Sequence, residues 1–449
     1  MGNKTCIGFF HLKKLHFIYL IILLIVISFT NCIIEIPLQA IEVKGGWKYK
    51  NIKLEEPDEY PKDFNKTILI SDGAATLNRN YLFLGTIYIG TYKQKFNLVL
   101  DTGSYIAWVA AYGSDDQYTI NNHFDATYST YTGKAFEQKY ETGYCKGYYY
   151  QDNFAYIKNS YFPIKFGVAD QTQLEVDQGD GIIGLGHYYP DESMSFIHML
   201  KKARITDSLL FSFKFEDRKN TGKLYIGKHS DFSQDNAVTC PLLTFQGMSN
   251  IYWVCEVSGI GLRNNNYDVR SSRSYNNIIF DTGTNFILLP LKVYNDIKDS
   301  LNKFGCGSKK NGKYISLYCS SKFDNLPNLT LNINGHTLIV PREKLYSYSS
   351  SYYSSEITFA DSNIYILGSP FFLSFHTLFN KEDELLHFYP LKPEYLEKGS
   401  TSVAAIIGII LVILFLLLIF GCLIRQFLKW KRARDENDFP SSNYNFNFI

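Results

Sequence analysis

The feature that most constrains this chain is a duplication of long period. The stretch "NLVLDTGSYIAWV" at residues 97–109 returns as "IIFDTGTNFILL" at 278–289, which sets Asp101 and Asp281 180 residues apart. A second pair follows in the same order, "DGIIGLG" at 180–186 and "IYILGSP" at 364–370, each with an apolar run that ends in glycine. A solenoid needs about three or more units, so two copies at this period point to two similar lobes facing each other. Each copy also buries a carboxylate in an apolar run, which is costly unless the charge is paired or hydrogen-bonded.

Lobes related by a pseudo-twofold bring Asp101 and Asp281 together at the axis. Adjacent carboxylates cannot both ionise, so they share a proton and their apparent pKa values split. Such a pair can hold a water, one member acting as general base while the other donates to a substrate oxygen. That chemistry hydrolyses an amide with no metal, cofactor or covalent intermediate. Thr102 and Thr282 are suited to tie the two turns together, and Gly103 and Gly283 to allow close approach. Ser104 and Thr284 can donate hydroxyl hydrogen bonds to the carboxylates.

From about residue 77 the pattern reads as strand after strand, with short apolar runs broken by Gly, Asn and Lys. The 35 tyrosines and 34 phenylalanines suit pleated sheets. Two stretches read as helices, 193–205 by apolar spacing and 290–305 by amphipathicity with Pro290 before and Gly305 after. The expected class is all-β with few short helices. A net charge of +2 offers no electrostatic case for nucleic acid.

Two apolar runs set an expected topology. Residues 17–29, after Lys13 and Lys14, read as the core of a signal peptide spanning 1–32, with a retained anchor as the alternative. Residues 403–424 carry no charge and are long enough for a transmembrane helix, and Arg425, Lys429, Lys431, Arg432 and Arg434 follow. That arrangement predicts a single-pass type I protein: 33–402 lumenal or extracellular, 396–402 a stalk and 425–449 a cytosolic tail. In an oxidising compartment Cys306 and Cys319, which flank a polar turn, are expected to pair, and Cys240 can pair with Cys255 across a hairpin. Cys145 is then free or paired with Cys32. Cys422 at the inner face is a candidate for palmitoylation. Asn65 and Asn328 lie in glycosylation sequons.

Taken together, "DTGS", "DTGT", "GIIGLG" and "YILG" in this order resemble the pepsin-like aspartic proteases over roughly residues 77–392. The resemblance implies a bilobal fold, with a first lobe at 67–235 and a second at 236–395, and Asp101 and Asp281 as the catalytic dyad. It implies that "KYETGYCKG" at 139–147 is a flap closing over substrate, with Tyr140, Thr142 and Gly143 in the motif, and that Trp108 bonds to Tyr140. Val99, Ile182, Tyr252, Ile279 and Ile366 fall near apolar subsite positions. It also implies a prosegment at 33–66, in which Lys44, Lys48, Lys50 or Lys53 pairs with the dyad at neutral pH.

Some positions depart from the family pattern. Glu141 stands where Gly is usual, Tyr105 where a small residue is common, and Ser369 where Asp is frequent. Cys145 in the flap, if exposed, would make activity redox-sensitive. The expected function is a membrane-anchored aspartic endopeptidase, monomeric, acting on peptides or proteins. The rival is a non-catalytic receptor or adhesion protein on the same fold. A retroviral-type dimer is excluded, because that class carries one motif per chain and this chain carries two.

Overall fold

The computed structural model describes residues 34–43, 80–116, 120, 122–140, 143–155, 161–174, 179–187, 194–215, 221–228, 237–243, 251–271, 276–349, 351–397 and 414–429. The signal-peptide region, Cys32, Asn65, the four prosegment lysines, Glu141 and Thr142 lie outside them. The chain divides into two compact units, Met1–Glu397 and Lys398–Ile449.

The first unit is mostly sheet. Its described strands form sheets of 13, eight and five strands. In the 13-stranded sheet, strand Gln94–Asp101 runs parallel to Gly181–Gly184, pairing Val99 with Ile182 and Asp101 with Gly184. Strand Trp108–Asp116 lies antiparallel on the other edge of Gly181–Gly184. The eight-stranded sheet repeats this arrangement. Asn276–Phe280 runs parallel to Tyr365–Leu367, and Ile287–Pro290 lies antiparallel on its other edge. The two sequence duplications are therefore one structural unit used twice: the Asp strand, a return strand, and between them a short strand that runs up to a glycine, Gly184 or Gly368.

That glycine has a steric cause in each copy. A Cβ at Gly184 would lie 2.5 Å from the Ile106 nitrogen, and one at Gly368 would drive into the Thr284 and Phe286 carbonyls. The short strand can pass beneath the Asp turn only where no side chain intervenes.

Alternation along each Asp strand splits the apolar residues between two clusters. Leu98, Leu100, Ile183, Ile278, Phe280 and Leu367 join the main core. Val99 and Ile182 face a smaller cluster with Trp108 and Phe136, against which Tyr105 and Tyr140 pack. Ile279 and Ile366 face a third with Val254 and Leu288, against which Tyr252 packs. The five expected subsite residues thus sit on the faces turned away from the main core, two in the first half and three in the second.

The expected helices are present in shortened form. One spans Phe196–Lys202. The other spans Leu291–Ile297 after Pro290, continues as a 3-10 turn, and stops at Gly305 with φ 68°. One strand was not expected. Ile34–Val43 lies inside the 13-stranded sheet, between Thr221–Ile226 and Asn80–Ile89. Pro37 is tolerated there because pairing with Asn80–Ile89 begins only at Leu38, so one edge is open at the proline. Three second-half strands, Val238–Pro241, Phe375–Asn380 and Leu385–Pro390, complete the same sheet.

Both expected disulfides, Cys240–Cys255 and Cys306–Cys319, are formed. Cys145 is free, and the exposure on which redox sensitivity depends is not met. It is fully buried in the cluster around Trp108, and burial pushes its thiol well above the ordinary range. In strand Gly143–Ala155 its parity points it inward, so the exposed redox-sensitive thiol is ruled out. In the second unit, residues 414–429 form an exposed helix. Among the described residues no helix is long and apolar enough to cross a membrane, and residues 403–413 of the apolar run lie outside them.

Candidate active site

Each Asp-Thr-Gly turn is closed by its own aspartate. The Gly103 N–H donates to Asp101 Oδ1 at 2.8 Å, and the Gly283 N–H donates to Asp281 Oδ1 at 2.8 Å. A short acidic side chain that reaches its own backbone two residues on explains why Asp opens this turn. The turns then meet. Thr102 N–H donates to Thr282 Oγ1 at 3.0 Å, and Thr282 N–H donates to Thr102 Oγ1 at 3.0 Å. Each hydroxyl donates onward across the pair, Thr102 to the Phe280 carbonyl at 2.8 Å and Thr282 to the Leu100 carbonyl at 2.7 Å. Both threonines are fully buried. Threonine suits this position because its hydroxyl can donate and accept at once.

The carboxylates lie against the opposite turn. A Cβ on Gly103 would lie 2.6 Å from Asp281 Oδ1, and one on Gly283 would overlap Asp101 Oδ1. Glycine at both positions lets the two acids approach across the axis.

Their surroundings differ. Asp281 accepts a second bond from the Thr284 hydroxyl at 2.6 Å. The Ser104 hydroxyl is buried with no well-aligned hydrogen bond, although it lies near enough to Asp101 to favour the charged carboxylate. Burial, followed by the neighbouring Asp281 charge, raises the Asp101 carboxyl well above the usual range despite that help.

Over Asp101 lies the hairpin of strands Thr130–Tyr140 and Gly143–Ala155. The Trp108 indole N–H donates to the Tyr140 hydroxyl at 2.8 Å. Trp108 is fully buried, so its N–H needs that partner. Burial pushes the Tyr140 phenol up, and the Asp101 charge adds to the shift. Gly143 pairs with Tyr140 at the hairpin end, and a Cβ there would strike the Gln173 carbonyl.

Two residues near the site carried no local signal. Trp253 is buried and donates its indole N–H to the Leu185 carbonyl at 2.8 Å. His187, the residue after "GIIGLG", packs edge-on to the Trp253 ring at 4.8 Å. Both act across the halves, so only their long-range partners mark them. Ser369 donates to the Asn285 carbonyl at 3.0 Å, within the second copy of the repeated unit.

Comparison with known proteins agrees with this arrangement. The family model described as eukaryotic aspartyl protease matches residues 82–390. A probable vacuolar protease A from Arthroderma benhamiae is 26% identical over 367 residues, covering 76% of this chain and 87% of its own length. Plasmepsin IV of Plasmodium falciparum isolate 3D7 is 27% identical over 340 residues, 69% of each chain. Pepsin A of Bos taurus is 26% identical over 344 residues, covering 70% of this chain and 86% of its own. The chain belongs to the eukaryotic aspartyl protease family and is an aspartic-type endopeptidase.

Proposed function

We propose that Asp101 and Asp281 are the catalytic dyad of a membrane-anchored endopeptidase of the secretory or endosomal pathway. The observation that carries the dyad is the reciprocal Thr102–Thr282 bonding, which sets two carboxylates across a two-turn axis. The raised Asp101 carboxyl keeps the shared proton. Asp281, already accepting from Gly283 and Thr284, takes a proton from the attacking water. As the water oxygen bonds to the scissile carbon, Asp101 gives its proton to the carbonyl oxygen. The tetrahedral diol then collapses. The proton held by Asp281 passes to the leaving nitrogen, the C–N bond breaks, and Asp101 regains a proton from a diol hydroxyl. Tyr140, Thr142 and Gly143 form the flap over substrate, and Trp108 holds the Tyr140 ring. Thr102, Gly103, Ser104, Thr282, Gly283 and Thr284 hold the carboxylates.

Anchoring rests on the sequence: the uncharged run at 403–424 followed by five cations within ten residues. The substrates are lumenal or membrane-bound polypeptides. The basic residues of the prosegment follow Val43, so the inhibitory function belongs to the part of 33–66 beyond strand Ile34–Val43. The test is cleavage of an unbiased peptide library by the full chain from acid to neutral pH, repeated with Asp101→Asn. Activity is expected to fall by about three orders of magnitude. Unchanged cleavage by the variant would remove Asp101 from the mechanism.

A further inference from the structure

Residues 185–187 hang the first active-site turn from the second half of the chain. Leu185 N–H donates to the Asp101 carbonyl at 2.7 Å and Gly186 N–H to the Ser104 carbonyl at 2.7 Å. His187 N–H donates to the Ile251 carbonyl at 2.6 Å, and the Leu185 carbonyl accepts from Trp253. The His187 imidazole adds a side-chain tie. Its Nε2 lies 2.7 Å from Glu384 Oε2 and 3.1 Å from Lys381 Nζ, and the ring is 6% exposed. Glu384 is held in the left-handed region, φ 54°, which residues with a Cβ seldom occupy. Its carbonyl accepts from Leu242 N–H at 2.9 Å. The carboxylate is thus aimed at His187 from a constrained turn between Phe375–Asn380 and Leu385–Pro390.

We propose that His187 is a positioning residue for peptide cleavage, an inference that rests on the dyad reading above. Its bond to Glu384 fixes the 185–187 segment, and through it the Asp101 turn, more firmly in acid than at neutral pH. A neutral ring donates its Nε2–H to the Glu384 carboxylate as a bond to one charge, and a protonated ring adds the attraction of opposite charges to that same bond. Lys381 and Glu384, both on that turn, place charged groups against the ring. Lys381 opposes the imidazolium, but it also bonds Glu384 Oε1 at 3.0 Å, which leaves the carboxylate between two cations. Burial alone would raise the Glu384 carboxyl. The Lys381 hydrogen bond and the His187 and Lys381 charges bring it below the usual range, so it remains an anion as the medium acidifies.

The test compares the full-length chain with His187→Gln, His187→Ala, Glu384→Gln and the His187→Ala/Glu384→Gln double variant. Steady-state cleavage is measured from acid to neutral pH, with amide hydrogen exchange of the 183–187 segment alongside. Gln can donate from nearly the same position but never carries charge. His187→Gln should therefore match the parent kcat at neutral pH and fall about fivefold below it in acid, with KM unchanged. The double variant should be no worse than His187→Ala alone, as expected for partners in one interaction. Faster exchange at 183–187 should accompany each loss of kcat. A His187→Gln to parent ratio that stays flat with pH, or additive single losses, would overturn the proposal. A parent chain that cleaves nothing, while exchange still rises in the variants, would overturn the proteolytic reading and leave the clamp in place.

Discussion

The two Asp-Thr-Gly turns share one backbone and differ in what surrounds the carboxylate. Both close on their own aspartate at 2.8 Å and both exchange threonine bonds at 3.0 Å. Yet Asp281 has the Thr284 hydroxyl at 2.6 Å, while Asp101 sits 6% exposed beside a serine without an aligned bond and beneath an aromatic hairpin. Duplicated geometry supplies the approach of the two acids. On the proposed mechanism, the unequal surroundings set one as the proton donor and the other as the base. Symmetry builds the site, and its local loss gives the site direction.

The largest expected effects probe the symmetric part. Thr102→Val and Thr282→Val each remove a buried hydroxyl that donates once and accepts once. Each should destabilise the fold by about 2–4 kcal/mol, in equal measure, and the double variant should cost less than the sum. Chemical denaturation would measure this. A strongly unequal pair would break the equivalence of the turns.

The asymmetric part predicts unequal losses. Thr284→Ala removes a 2.6 Å bond to Asp281 and should lower kcat about tenfold, whereas Ser104→Ala should lower it by about twofold or less. Equal losses would mean that Ser104 rotates onto Asp101 when substrate binds.

The smallest effect is thermodynamic. Because the folded Asp101 carboxyl titrates above its unfolded value, the folded state binds the proton more tightly. Stability therefore declines as pH rises from the unfolded carboxylate value, about 3.9, through the folded one. Asp101→Asn should raise Tm by about 2 °C at neutral pH and leave it unchanged below the unfolded value. Scanning calorimetry at the two pH values would show it. A lower Tm at neutral pH would mean that the charged carboxylate is net stabilising.

The two Asp-Thr-Gly turns and their repeated strands were legible because each is written within about ten consecutive residues. The acid closes one apolar run, the glycine closes a second run more than eighty residues later, and this pair of runs occurs twice in the same order. Strand Ile34–Val43 has an alternating start, "IEIPLQ", but it falls within the expected prosegment at 33–66, and its strand partners at 80–89 and 221–226 are distant in sequence. The exposure of Cys145 was not legible, because a hairpin sequence does not say which parity faces inward. Only the cluster with Trp108 and Phe136 decides that. His187 and Trp253 have no local signature, since their partners lie 197 and 68 residues away.

The mixed make-up of the 13-stranded sheet has a consequence in time. Strands near residue 390 pair into the sheet that carries Asp101. Thr102 finds its partner only at Thr282. On a translating ribosome the second turn emerges roughly 10–35 s after the first. During that interval the nascent first half has the sequence of half a catalyst and the stability of neither half, so its exposed strand edges await synthesis of the rest. A product truncated before Asp281 lacks one acid of the proposed dyad. With the proposed dyad, the order of synthesis itself delays assembly of the site until both turns are present.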